Sequence, residues 1–422
     1  MKKKFLIKWL LIGLFLRLIL MPFTVHSDMT ALDLGAFVIS QKGRWLTFYD
    51  YLSGLEKNNP LVDLYGIGLF NYPPLAYLTP AIFMLILSPF YNFSTNYVFL
   101  VGMDKIFQTT ELFRTIFLLK LPYLFFDFLL AFLLLKIFKE KGLPAGSQGE
   151  IAFKIWMVNP LTLYATFAMG QFDIIPTLMV VAGIFFALKN KKWLSVMMLG
   201  IGGAYKMFPL LFLPIFVLLL DKNFWRRAWL FVVGLLPYLV IISPYFLFSP
   251  MYRRVAFLAS QTEKMFYMKL PLSGAEYLSP FLIGYFVLLI LAAKSKFQKD
   301  SLWRFGLVLM LLFFSVTHYH PQWFLWIAPF LVWLWLNEKG QYRSYLILML
   351  ACWFLLTLFF EPSLHLGLFA PIAPELLKVG SLTDLVGRFY DPFLLKSLIR
   401  SFFAAVAIFL SFCLLSEGRK NV

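Results

Sequence analysis

Thr115-Ile-Phe-Leu-Leu-Lys-Leu-Pro-Tyr-Leu-Phe-Phe-Asp-Phe-Leu-Leu-Ala-Phe-Leu-Leu-Leu-Lys-Ile-Phe138 is the stretch whose reading decides the fold class. As a helix its 24 residues rise about 36 Å. Crossing the hydrocarbon of a bilayer takes roughly 20 apolar residues. The backbone must satisfy its own hydrogen bonds there, which a helix does. Membrane strands alternate apolar and polar side chains, and this run does not. Similar runs lie near 5–24, 155–170, 174–188, 193–205, 207–220, 229–248, 278–293, 302–318, 321–336, 343–360 and 393–415. With 115–138 they make twelve, and an even number returns the C-terminus to the side of the N-terminus. The run 193–220 breaks at Gly200, Gly202, Gly203 and Lys206, and reads as two short helices meeting at Lys206. The segment 73–91 is apolar enough to insert, either as a re-entrant piece or with a compensating crossing in 94–110, so the expected count is twelve to fourteen. The expected fold is therefore all-α: a polytopic integral membrane helical bundle forming a single domain over 1–422. The first long loop, 25–72, is expected to cap its external face, with further external loops at 249–277 and 361–392.

Composition supports the same class. Apolar residues make up 61% of the chain and charged residues 14%, against near half and about a quarter in soluble domains. The net charge of +17 would suit nucleic acid, but its distribution excludes that partner. The segments 1–8, 136–154, 189–192, 221–227, 294–304, 338–343 and 417–422 hold 22 Lys and Arg against six acidic residues; the rest holds 16 against 15. An imbalance confined to short loops on one face is the positive-inside pattern. It predicts a cell-membrane protein with both termini cytoplasmic. Met1-Lys-Lys-Lys before an apolar stretch resembles a signal peptide, yet no small-x-small cleavage site follows Met21-Pro22, so an uncleaved first helix is expected. Cys352 and Cys413 lie in apolar runs and offer neither a disulfide framework nor metal spacing.

A few polar residues stand out. Asp28 and Asp33 follow the first run directly; a carboxylate at the membrane surface can act as general base towards a hydroxyl, and the competing reading is that Ser27 or Asp28 caps a helix starting near Met29. Asp173, in Gly170-Gln-Phe-Asp173, is a functional candidate because it is ionisable beside the bilayer, or else a capping Asp in a turn. Lys206 lies between two apolar stretches, where a buried lysine needs an anion or water; snorkelling to the interface is the alternative. Lys120, Asp127 and Arg17 lie inside apolar runs and are expected to pair across helices. His318-Tyr-His320-Pro-Gln322 forms an external turn. Its His-x-His pair lacks a neighbouring Cys, Asp or Glu to complete a metal site, which favours hydrogen bonding to a phosphate or sugar, or interfacial packing. Arg253, Arg254, Lys264 and Lys269 make 249–277 a basic external loop, suited to an anionic ligand or to an amphipathic surface helix anchored by Phe257, Phe266 and Tyr267.

Taken in order, Ser27-Asp28, Asn71-Tyr72-Pro73-Pro74-Leu75, Lys120 to Asp127, Asn159-Pro160, Gly170-Gln171-Phe172-Asp173, Lys206-Met-Phe-Pro209 with Pro214, and His320-Pro321-Gln322-Trp323-Phe324 resemble the GT-C superfamily of polyprenyl-phosphate-sugar-dependent glycosyltransferases. The closer resemblance is to bacterial relatives of the GPI-anchor mannosyltransferases. It implies transfer of a hexose, mannose by the resemblance, from a polyprenyl-phosphate donor to a glycolipid, polysaccharide or protein acceptor at the external face. It implies an acidic base in the first external loop, the position of Asp28, with Asp33 in reserve. Lys206, His320, Arg253 and Arg254 are then the candidates for the donor phosphate. Asp173, Gln171, Tyr72, His318 and Gln322 are the candidates that orient sugar or acceptor. Relatives often carry a closer acidic pair in that loop; here the two are five apart, so no cofactor is called for and a divalent metal stays an open alternative. A lipid-linked-sugar flippase or other transporter would share the basic-inside bundle, though with inverted repeats that this sequence lacks. A surface-polysaccharide ligase or polymerase would share the donor chemistry.

Overall fold

A computed structural model of the chain describes residues 3–139, 147–257, 259–298, 300–318, 320–337 and 340–420. Parts of the basic segments 136–154, 294–304 and 338–343 and of both termini, together with Leu258 and Tyr319, lie outside the described residues.

Among the described residues the fold is all-α but for one short hairpin. The first helix, α1, is Lys3–Phe23. The segment that follows builds a layer of shorter helices: α2 (Asp28–Lys42), α3 (Pro60–Tyr65), α4 (Leu75–Ile86) and α5 (Phe93–Gly102). Then come α6 (Thr110–Lys139), α7 (Ser147–Met157), α8 (Pro160–Thr162), α9 (Ile174–Leu188), α10 (Lys192–Gly203), α11 (Pro209–Leu220) and α12 (Phe224–Phe248). The hairpin pairs β1 (Leu270–Ser273) with β2 (Glu276–Leu278) antiparallel. The chain closes with α13 (Pro280–Lys294), α14 (Ser301–Val316), α15 (Ala328–Asn337), α16 (Arg343–Leu358), α17 (Leu382–Val386) and α18 (Pro392–Lys420). Helices pack in succession, α1 on α6 and α7, α6 on α9, α9 on α10, α10 on α11 and α12, α11 on α13 and α14, α14 on α18, and α18 on α16, and α15 packs against α7, α14 and α16.

Among the described residues four helical stretches are long and apolar enough to cross a bilayer: Lys3–Phe23, Thr110–Phe138, Phe224–Phe248 and Pro392–Ser416. Shorter apolar helices fill most of the other runs. The expected break at 193–220 is present as α10 and α11, of 12 residues each. Each rises about 18 Å, less than the roughly 30 Å of a hydrocarbon core. Two runs do not form the single helices expected of them. The run 155–170 divides because Asn159 caps a new start, accepting from Leu161 N–H at 2.9 Å, with Pro160 at the first helical position. A π-helical turn, Leu163–Ala168, follows. The run 321–336 opens as a 3-10 helix, Pro321–Ile327, before α15. The segments 73–91 and 94–110 hold α4 and α5, of 12 and 10 residues, neither long enough to cross alone.

Small residues let the backbones of α10 and α12 meet. A Cβ on Gly200 of α10 would stand 2.1 Å from the carbonyl oxygen of Gly234 on α12, the close approach that glycine permits between apolar helices. The outward faces carry large apolar side chains. Leu11 and Phe15 of α1, Trp225, Trp229 and Leu247 of α12, Phe286 of α13, and Ile408 and Phe412 of α18 are all exposed. Inside, two of the three charged groups expected to pair across helices do so, while Lys120 meets only carbonyl and hydroxyl oxygens. Arg17 Nε donates to Asp127 Oδ2 at 2.6 Å, and Trp156 Nε1 donates to Asp127 Oδ1 at 2.8 Å, all three residues fully buried.

Candidate active site

The site begins at the turn Gly170-Gln-Phe-Asp173. Gly170 has φ +77, and a Cβ there would lie 2.2 Å from Met29 Sδ, so the turn needs glycine both for its left-handed backbone and for its approach to α2. That approach brings Gln171 to α2, where its Nε2 donates to Asp28 Oδ2 at 3.2 Å. Two residues on, Asp173 precedes α9 but makes no side-chain cap. Its Oδ1 instead accepts from Lys206 Nζ at 2.8 Å and from Trp326 Nε1 at 2.5 Å. One turn thus links a carboxylate on α2 to a buried ion pair.

Lys206 is 6% exposed, which removes the snorkelling reading. The bend between α10 and α11 holds it in place. Leu75 N–H donates to Ala204 O at 3.1 Å, and the hydroxyls of Thr79 and Tyr205 share a hydrogen bond of 2.7 Å. Its ammonium stands 5.2 Å from the ring centres of Tyr72 and Trp326, 5.4 Å from Phe172 and 5.5 Å from Trp323. Desolvated cation–π contacts of this kind stabilise a buried charge by about 2 kcal/mol. Trp323 and Trp326 stack at 5.2 Å because i and i+3 eclipse in a 3-10 helix, and Trp326 stacks on Phe208 at 4.2 Å. From this box a cavity of about 320 Å³ extends past Met207, Leu210, Leu211, Phe257 and Phe313.

Asp28 opens the other half. Its side chain is 44% exposed, and helix α2 begins there without a side-chain cap from Ser27. The capping alternative therefore does not account for its carboxylate. The Asp28 N–H donates to His26 Nδ1 at 3.2 Å. Burial lowers the His26 pKa against the opposing pull of Asp28 and Glu361. Its ring meets that of His320 edge-on at 6.2 Å. Burial pushes His320 down to about 4, with Asp28 opposing and His26, Lys264 and Lys206 adding to the fall. At neutral pH the His320 ring is therefore uncharged and can donate one hydrogen bond. Lys264, half-buried, sits 4.9 Å over the Trp323 ring, and burial, then Lys206, lowers its pKa.

The remaining candidates lie elsewhere. Asp33 is 1% exposed and accepts from Asn96 Nδ2 at 2.7 Å; burial raises its carboxyl to about 7. Arg253 donates to Phe246 O at 2.6 Å and Leu247 O at 3.3 Å, closing the C-terminal end of α12, and Arg254 is exposed. Neither guanidinium lines the cavity beside Lys206; Arg253 is held instead by the carbonyls at the end of α12. His318 is exposed beside Tyr267 at 6.1 Å. Gln322 is buried with its Oε1 unpartnered. Trp326, Phe208 and His26 complete the site beyond the residues singled out in the sequence, and Lys264 of the basic loop 249–277 joins them. The spacing of Trp323 and Trp326 was the available signal, legible only once a 3-10 helix is known there. Among the described residues no group of three or more His, Cys, Asp or Glu is gathered to hold a metal ion. No protein-family model, curated protein or solved structure matches the chain.

Proposed function

We propose that this protein is a polytopic membrane glycosyltransferase that moves a hexose, mannose by resemblance, from a polyprenyl-phosphate donor to an acceptor hydroxyl. The membrane setting is supported by the four spanning-length helices and by exposed apolar side chains; a soluble monomer rarely exposes large apolar patches. Basic loops on one face support cytoplasmic termini and an external site. The single observation that carries the chemistry is the Gln171–Asp173 turn. It joins the half-exposed Asp28 carboxylate to a buried lysine that lines an apolar cavity. Ligand pockets begin at about 300 Å³, and this lining suits the prenyl chain of a lipid-linked sugar.

In the proposed step the acceptor hydroxyl gives its proton to Asp28. The acceptor oxygen bonds to the anomeric carbon while the bond from that carbon to the phosphate oxygen breaks. The electron pair leaves on the polyprenyl phosphate, and attack from the opposite face inverts the anomeric centre. Negative charge grows on the phosphate as this happens. Preorganised donors lower the barrier there: Lys206 and Lys264 by charge, His320 by an N–H. Asp33 is a poor second base, since Asn96 and the surrounding side chains enclose it.

The test supplies the reconstituted protein with a polyprenyl-phosphate hexose labelled in the sugar and a heat-inactivated envelope extract as acceptor. Asp28→Asn keeps the size and the contact with Gln171 but removes the base. Transfer is expected to fall about 10²- to 10⁴-fold, the range for a general base, with donor binding retained. Equal transfer by both proteins would remove Asp28 from the mechanism.

A further inference from the structure

Lys120, fully buried on α6, has no carboxylate partner among the described residues. Its Nζ donates instead to Thr24 O at 2.6 Å, Phe167 O at 2.7 Å, Thr24 Oγ1 at 3.0 Å and Ala168 O at 3.2 Å. These oxygens belong to two helix ends. Thr24 follows directly on α1, and Phe167 and Ala168 close the π-helical turn. The last carbonyls of a helix lack intrahelical partners and carry the negative end of its dipole. An ammonium placed between two such ends is stabilised without a carboxylate, and it fastens one end to the other. Thr24 strengthens the junction, its hydroxyl donating to Leu20 O at 2.7 Å and reaching Phe167 O at 3.2 Å.

What the two ends lead to gives this junction its meaning. Thr24 stands two residues before His26 and four before Asp28; Ala168 stands three before Gln171 and five before Asp173. We infer that Lys120 is a positioning residue: by closing both helix ends with one ammonium it sets the Asp28 carboxylate against Gln171 and against the Asp173–Lys206 pair. It touches neither carboxylate and acts only through the two backbones. The inference rests on the hexosyl-transfer reading for what the site does, and on the geometry alone for what Lys120 holds.

The experiment compares Lys120→Met, which keeps length and loses all three N–H donors, with wild type and with Asp28→Asn in the same reconstituted assay. A displacement of about 1 Å at a reacting group can cost about 10²-fold. Lys120→Met is therefore expected to lose about 10²-fold in kcat with little change in KM for the donor. Combining it with Asp28→Asn is expected to lose little more than Asp28→Asn alone, since the carboxylate that Lys120 positions is then already absent. Thr24→Val, which removes only the hydroxyl contacts, is expected to give a smaller kcat loss of the same kind and serves if Lys120→Met does not fold. Amide hydrogen exchange gives a second reading that needs no turnover. Faster exchange in 24–30 and 167–173, with α11–α14 unchanged, is expected for either variant. Multiplying losses in the double variant, a pure KM effect, or exchange rising evenly across the bundle would each overturn the assignment of Lys120. If wild type transfers no sugar, the hexosyl-transfer reading fails, and the exchange pattern still decides what Lys120 holds.

Discussion

At the scale of single residues, one carboxylate oxygen of Asp173 accepts from both Lys206 and Trp326. Removing a partner from such a buried group leaves a charge unsatisfied. Asp173→Asn is expected to destabilise by about 3–5 kcal/mol, the cost of breaking a buried ion pair. Trp326→Phe keeps the stack on Phe208 but loses one N–H donor to a charged acceptor, at about 1.5–3 kcal/mol. Denaturant unfolding in detergent micelles measures both, and a change below about 0.5 kcal/mol for Trp326→Phe would show that the bond contributes nothing. Asp28, Gln171, Asp173 and Lys206 were legible in the sequence because polar groups at the ends of apolar runs stand out. Trp326 and Phe208 were not, since an aromatic residue in an apolar run looks the same whether it packs a core or encloses an ammonium. The neutral state of His320 was hidden too, because it follows from burial by elements distant in sequence.

At the scale of elements, α2 and α5 meet through Asp33 and Asn96. Burial raises the Asp33 carboxyl from 3.8 to about 7. The folded protein then binds its proton more tightly than the unfolded chain does. Its contribution to stability is full below about pH 4 and falls as pH rises to about 7. The buried imidazoles His26 and His320 act in the opposite sense, since their pKa values are lowered, so the difference between wild type and Asp33→Asn isolates the carboxyl. Asp33→Asn is expected to narrow the drop in thermal midpoint between pH 5 and pH 8; an unchanged drop would place the Asp33 proton elsewhere. Element existence was mostly legible, because apolar run length governs it, as at α6, α9 and α14. The boundaries at Asn159-Pro160 and the 3-10 start at Pro321 were not, because caps, π turns and 3-10 turns depend on local hydrogen bonds that hydropathy does not carry. The capping role of Arg253 is of the same kind: a basic residue after a helix reads as surface charge until the helix end is seen.

At the scale of the whole molecule, the proposed orientation places the basic loops inside and the α2–α5 layer outside. With Cys352 and Cys413 replaced, a membrane-impermeant maleimide added to intact cells is expected to label Asn58→Cys, and to label Lys191→Cys only after permeabilisation. The reverse pattern would invert the bundle. The central claim is that sugar leaves its lipid. Proteoliposomes loaded with a polyprenyl-phosphate hexose, labelled in both sugar and lipid and supplied with acceptor extract, test it most directly. Hexosyl transfer predicts one polyprenyl phosphate released for each sugar joined to acceptor, with the anomeric configuration inverted. Sugar and lipid labels that stay joined while appearing on the opposite leaflet would contradict it and assign the protein to transport.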